Sequence, residues 1–158
     1  MKIIFLSHTT RDSLFKVGSY HLSKEFARMG HDILYVPSAL SLFHFMNLPG
    51  LLDEGYRNSL KNRLASLKPV TDEDNVTNIT PFVLIPFNKG VFDNPRIPVN
   101  QWFTFNRIDK KLEETGFNRA DLVIQDKAGL YSMRKFIRAK TWICRVTYDY
   151  SKLPRGAG

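Results

Sequence analysis

Residues 2–37, reading KIIFLSHTTRDSLFKVGSYHLSKEFARMGHDILYVP, constrain the fold more than any other stretch of the chain. A short apolar strand, a polar loop, an amphipathic helix and a second strand follow one another. That order is a βαβ unit, the opening of a Rossmann-like sheet, and the loop after its first strand lies where such sheets bind ligands. Gly18 is the single glycine of that loop, so the G-x-G-x-x-G fingerprint of dinucleotide enzymes is absent. The phosphate-binding pattern G-x-x-x-x-G-K-[ST] does not occur either. Ser7-His8-Thr9 follows the strand where a phospho-receiver domain carries an acidic pair.

The remaining pattern extends this start into an α/β fold. Residues 3–6 form a continuous apolar run, suited to a strand buried on both faces. The helix over residues 19–29 is expected to bury Leu22, Phe26 and Met29, and Gly30 closes it in the C′ position. A second strand covers residues 33–36. Further strands are expected at 82–86, 121–125 and 141–146. Helices are expected at 56–68 (Leu60, Leu64 and Leu67 inward), at 100–114 (Phe103, Phe105, Ile108 and Leu112), and as a short basic helix at 129–139 (Leu130, Met133 and Ile137). Residues 71–77 read as an acidic surface loop. Strands alternating with helices predict a three-layer α/β domain, with a mainly parallel sheet and helices on both faces. At 158 residues and 43% hydrophobic, the chain is expected to form one domain over residues 1–150.

Charge and cysteine content limit the partners. The net charge is +8, and residues 101–158 carry twelve Lys/Arg against six Asp/Glu. Such a field favours an anionic partner, whether phosphorylated ligand, acidic lipid surface or nucleic acid, although a solvated basic helix face produces the same count. Arg134, Lys135 and Arg138 form the face a nucleic acid would use. No recognition motif and little aromatic interleaving accompany them, so nucleic acid is the less favoured partner. The lone Cys144, inside an apolar run, reads as an inert core thiol of a reducing compartment. Residues 1–6 are too short for a signal peptide. Residues 39–52 are apolar but broken by His44, Asn47 and Pro49, too short to span a bilayer. Followed by the basic helix with Arg57, Lys61, Arg63 and Lys68, they have the pattern of a peripheral contact with an anionic membrane; an ordinary core helix shares it.

Several segments together resemble one family. The opening strand, Lys16-Val-Gly-Ser-Tyr-His-Leu, Phe26-Ala-Arg-Met-Gly-His-Asp-Ile, Pro81-Phe-Val-Leu-Ile-Pro, Ala120-Asp-Leu-Val-Ile and Arg145-Val-Thr-Tyr-Asp follow one another as in N-terminal domains of GT-B glycosyltransferases. The chain looks like the bacterial polysaccharide branch that includes teichuronic acid transferases and xanthan-type glucuronosyltransferases. The resemblance implies one half of a two-domain enzyme. This half binds a lipid-linked or glycan acceptor at the cytoplasmic membrane face, and a C-terminal domain holds the nucleotide-sugar donor. Residues 151–158 are then expected to begin the interdomain linker, no cofactor is expected in this chain, and the half alone is expected to be inactive.

Glycosyl transfer needs an acceptor hydroxyl deprotonated as it attacks, and positive or dipolar groups for the departing diphosphate. In open α/β sheets these come from loops at the carboxyl ends of strands. That rule selects His8, Thr9, Thr10, Lys16, Gly18, Asp126, Lys127, Arg145 and Asp149. By the resemblance Asp126 is the candidate general base, with a helix N-cap as its structural alternative. His8 is a second candidate base or a plain loop residue. Thr9, Lys16, Gly18, His21, Lys127, Arg145 and Asp149 are candidate acceptor-binding residues. Gly18 equally serves as a simple helix entry, and Arg145 with Asp149 as a pair that fixes the linker. No His/Cys/Asp cluster has the spacing of a metal site.

Overall fold

The computed structural model describes residues 1–11, 18–83, 107–126, 133–134 and 136–145. Its centre is β1 (Lys2–Leu6), buried from Ile3 onward. α1 (Gly18–Arg28) then leads to β2 (Asp32–Val36), which lies parallel to β1 in the register Ile3↔Ile33 and Phe5↔Tyr35. The short strand β3 (Leu40–Ser41), a 3-10 turn (Leu42–His44), α2 (Leu48–Leu52) and α3 (Glu54–Ala65) follow. Then come β4 (Val70–Thr71), β5 (Val76–Asn78), β6 (Phe82–Val83), α4 (Ile108–Glu114), β7 (Arg119–Gln125) and β8 (Arg138–Cys144). Among the described residues the main sheet runs β4-β5-β2-β1-β7-β8, and β3 pairs with β6 apart from it. Every pairing in the main sheet is parallel except β4 with β5. The chain adds β2 and β5 on one side of β1, then β7 and β8 on the other, so the order reverses between β1 and β7.

The alternation of the parallel strands divides the core in two. Ile3, Phe5, Ile33, Tyr35, Val76 and Ile124 face α1 through Phe26 and Ala27. Ile4, Leu6, Leu34, Val36 and Val123 face the opposite way and take Ile108 and Leu112 of α4. Helices thus cover both faces of a mostly parallel sheet. Each of these large apolar side chains contributes roughly 1.5–3 kcal/mol by leaving water. α1 and α4 end alike. Gly30 and Gly116 adopt φ of 81° and 72°, and the residue after each donates back to a carbonyl five residues earlier, His31 to Phe26 and Phe117 to Leu112. That Schellman geometry favours glycine because a Cβ is strained in the left-handed region.

The structure corrects several expectations. The third parallel strand is β5, which begins within the stretch read as an acidic loop and ends one residue past it, whereas Phe82–Val83 pairs with β3 and residues 84–86 lie outside the described set. Asp72 makes this possible: its Oδ1 accepts from the backbone N–H of Asp74 and Val76 and folds a tight β4–β5 turn. α1 does not bury Leu22 or Met29, which are exposed; Ser19 and Ser23 are its fully buried residues, with Phe26 and Ala27 half-buried. Small serines let the helix sit close to polar groups at the sheet edge. α3 spans Glu54–Ala65, with Leu60 buried, Leu67 half-buried and Leu64 exposed. Residues 138 and 139, expected at the end of a helix, open β8, while Met133 and Ile137 are buried as the pattern required. Of the helix expected over 100–114, Ile108–Glu114 is described and buries Ile108 and Leu112; Phe103 and Phe105 lie outside the described residues, as does Leu130. Cys144 is exposed rather than buried in the core, because β8 pairs only with β7 among the described residues. Among the described residues, no helix is long and apolar enough to cross a membrane.

Candidate functional site

The strand order reverses between β1 and β7, and open α/β sheets take ligands at the carboxyl edge beside such a reversal. Backbone pairing carries the residues that follow β7 and β8 to this edge. Asp126 donates its N–H to Leu6 O at 2.9 Å, and Arg145, just beyond β8, donates to Gln125 O at 2.8 Å. α1 begins at the same edge, with Gly18 exposed and Ser19 fully buried.

These residues close on one another. Arg145 Nε lies 2.9 Å from Asp126 Oδ1, and Arg145 Nη2 donates to Ser19 Oγ at 2.8 Å. Ser19 Oγ in turn donates to Asp126 Oδ2. The Asp126 side chain is 1% exposed and that of Arg145 29%, so the pair straddles the boundary between core and surface. Gly18 has a reason to be glycine here: a Cβ on it would stand 2.7 Å from Arg145 Nη1. The guanidinium lies against bare backbone at the start of the helix, where N–H dipoles also favour the Asp126 carboxylate. Asp126 therefore anchors Arg145 with both oxygens engaged. Proton abstraction by Asp126 requires that latch to open.

Tyr35 lies on the same face, near the end of β2. Its side chain is fully buried, and its hydroxyl makes no hydrogen bond of normal geometry among the described residues. Burial pushes the phenol above its ordinary range, while the Ser7 and Thr9 hydroxyls oppose the rise. Ser7 is buried and pairs loosely with Thr9, Oγ to Oγ1 at 3.4 Å.

Beside this lies a cavity of about 510 Å³, lined among others by Thr10, Arg11, Tyr20, Asn62, Asn78 and Thr80. Arg11 holds its wall together. It donates to Asp72 at 2.6 Å, Asp74 at 2.9 Å and Ser23 at 2.6 Å, and packs over the Tyr20 ring at 4.8 Å. Lys24 adds a 2.8 Å contact to Asp74, and its hydrogen bond lowers the Asp74 carboxyl below its ordinary value. Asp72 and Asp74 are thus met by cations, and the lining combines hydroxyl and amide groups with Arg63 and the exposed Glu73.

Of the residues singled out in the sequence, Gly18, Asp126 and Arg145 are brought together. Thr9 lies by Ser7 and Tyr35, and Thr10 lines the cavity. His8 is exposed, and its carbonyl accepts from Ser38 at 3.0 Å, which places it between the ends of β1 and β2. His21 is exposed and set edge-on to Tyr20 at 5.2 Å. Lys16, Lys127 and Asp149 lie outside the described residues. Sequence reasoning missed Ser19, Arg11, Tyr35, Asp72 and Asp74. A hydroxyl directly after Gly18, and a phenol interrupting the aliphatic run of β2, were the available signals. Among the described residues, no group of three or more His, Cys, Asp and Glu is arranged to hold a metal ion.

No family model matches the chain, and neither a curated protein nor a solved structure matches it. The fold and site define the protein by geometry alone: a mostly parallel α/β sheet whose carboxyl edge carries a latched Arg–Asp–Ser cluster next to a polar cavity.

Proposed function

We propose that this chain is the acceptor-side half of a GT-B glycosyltransferase, a Rossmann-like domain that works with a donor-binding partner domain. The enzyme transfers a sugar from a nucleotide-sugar to a lipid-linked or polysaccharide acceptor at the cytoplasmic face of a bacterial membrane. The resemblance of the opening βαβ unit and later strands to that family motivates the reading. The observation that carries it is the cavity with Thr10, Asn62, Asn78 and Thr80 in its lining, joined through α1, whose Tyr20 lines it, to the Gly18–Ser19–Asp126–Arg145 cluster. Counted in chain order, the parallel strands run 3-2-1-4-5, the order of doubly wound nucleotide-type sheets, and the Asp126–Arg145 cluster lies on their carboxyl edge.

In this reading the acceptor sugar lies against Thr10, Asn62, Asn78 and Thr80, whose amide and hydroxyl groups suit a neutral polyol. Arg145 lies at the carboxyl edge as the cation nearest the reacting region. Asp126 holds Arg145 in place, and acts as general base once the latch opens; His8, at the rim, is the alternative base. Isothermal titration of the chain with envelope-type oligosaccharides and with random single-stranded DNA tests the reading. Saccharide binding that Asn78→Ala and Thr80→Val weaken supports it. Salt-sensitive DNA binding without saccharide binding replaces it with the basic nucleic-acid module.

A further inference from the structure

The stretch from the 3-10 turn through α3 leaves unusual side chains in water. Leu42 is 45% exposed, Phe43 53%, Met46 71% and Leu52 84%. Single exposed apolar residues are ordinary on a protein surface, but four within eleven residues form a concentration that needs a partner. The segment is also well fastened. Tyr56 Oη donates to the His44 carbonyl at 2.8 Å, Asn47 caps α2 through Gly50 N–H, and Asp53 caps α3 through Tyr56 N–H at 2.7 Å. The apolar groups are thus presented by a fixed scaffold.

We propose that this lip docks on an anionic membrane surface, with Leu42, Phe43, Met46 and Leu52 entering the acyl boundary and α3 supplying the positive charge. Arg57, Lys61 and Leu64 are exposed at i, i+4 and i+7, forming one stripe along α3. The acidic residues nearby, Asp53 and Glu54, sit at the helix N-terminus, where the dipole compensates them. A second copy of the chain is the competing occupant, and a charge of +8 per chain opposes it while favouring acidic lipid. The proposal deepens the membrane-face location within the functional reading. It also adds a geometric link, because Asn62 and Arg63 of the same helix line the cavity, and α3 covers about 16 Å along its axis. A lip held at the lipid therefore keeps the cavity within reach of a headgroup-linked saccharide.

Co-sedimentation of the chain with phosphatidylcholine vesicles, with and without about one third phosphatidylglycerol, tests this independently of any saccharide or transfer. Binding to the anionic vesicles is expected, much weaker on phosphatidylcholine alone and reduced by salt. Phe43→Ser with Leu52→Ser should lower partitioning about thirtyfold, and Arg57→Glu with Lys61→Glu at least about tenfold. All four positions are exposed, and unchanged circular dichroism of each variant certifies the comparison. The proposal is overturned if wild type ignores anionic vesicles or if the variants bind as wild type does. It is equally overturned if the apolar pair abolishes a dimer seen by sedimentation equilibrium without altering vesicle binding. Saccharide titration stays intact under those outcomes if only the membrane proposal fails.

Discussion

Replacing Arg145 by methionine isolates the physics of the latch. The Asp126 carboxylate is 1% exposed and relies on Arg145 Nε at 2.9 Å and on Ser19. Taking away the cation leaves a buried charge with one neutral donor, a change that costs roughly 3–5 kcal/mol when fully enclosed. Arg145 is 29% exposed, so solvent screens part of the attraction and the low end, about 3 kcal/mol, is expected. For a chain of this size that lowers Tm by about 6–12 °C. Asp126→Asn should cost less, about 1 kcal/mol, because the amide oxygen still accepts from Ser19 and the freed guanidinium can turn to water. The double variant should resemble Asp126→Asn alone, giving a coupling of at least about 2 kcal/mol. Urea or thermal unfolding of the four proteins reads the cycle. Equal losses from the two single variants, with coupling under about 0.5 kcal/mol, would refute the latch.

Three further outcomes follow from the same contacts. Gly18→Ala should destabilise by about 1 kcal/mol with Arg145 present, since its Cβ meets the guanidinium, and become neutral or stabilising in the Arg145→Met background through helix propensity; one shared value in both backgrounds argues against the contact. Arg11→Ala should cost about 2–3 kcal/mol and strip amide-exchange protection from Val76–Asn78, because it unties Asp72, Asp74 and Ser23 together; protection unchanged at β5 removes Arg11 as the fastener. The Lys24 hydrogen bond holds Asp74 below its ordinary 3.8, so that its stabilising contribution is complete above this value and drains as pH falls through the lower folded value. Asp74→Asn should accordingly flatten the acid limb of the stability profile, measured by urea unfolding between about pH 3 and 6.

What the sequence revealed and what it hid have physical causes. β1, α1 and β2 were legible because continuous apolar runs and the Gly30 terminator are local signals. β7 was legible for the same reason. β5 was hidden because Val-Thr-Asn carries little apolar pattern, and its turn depends on Asp72 capturing two backbone N–H groups. The buried face of α1 was misread because Ser19 and Ser23 are satisfied by Asp126, Arg145 and Arg11, groups that periodicity cannot see. Cys144 was misread because an apolar run says nothing about which strand lies at a sheet edge. For the site, the rule that ligands meet the carboxyl ends of strands brought Gly18, Asp126 and Arg145 forward. It did not reveal that these close on each other, nor that Arg11 reaches Asp72 and Asp74, 61 and 63 residues away.

These contacts place two kinds of order side by side. The Arg145–Asp126–Ser19 latch ties the start of α1 to the ends of β7 and β8, and the Arg11 fastener ties α1 to the β4–β5 turn along the cavity wall. The apolar lip proposed to dock on lipid lies at the other end of α3 from the cavity-lining Asn62 and Arg63.

The most direct measurement is a ¹⁵N–¹H NMR titration of the chain with an envelope-type oligosaccharide series, the amide signals being assigned beforehand. The acceptor-wall account predicts saturable shifts concentrated at Ser7, Thr10, Ser19, Tyr35, Asn78, Thr80 and Asp126, with the far ends of the strands, at Lys2 and Asp32, unmoved. Shifts confined to Arg134 and Arg138, or no saccharide response at the carboxyl edge, would contradict it.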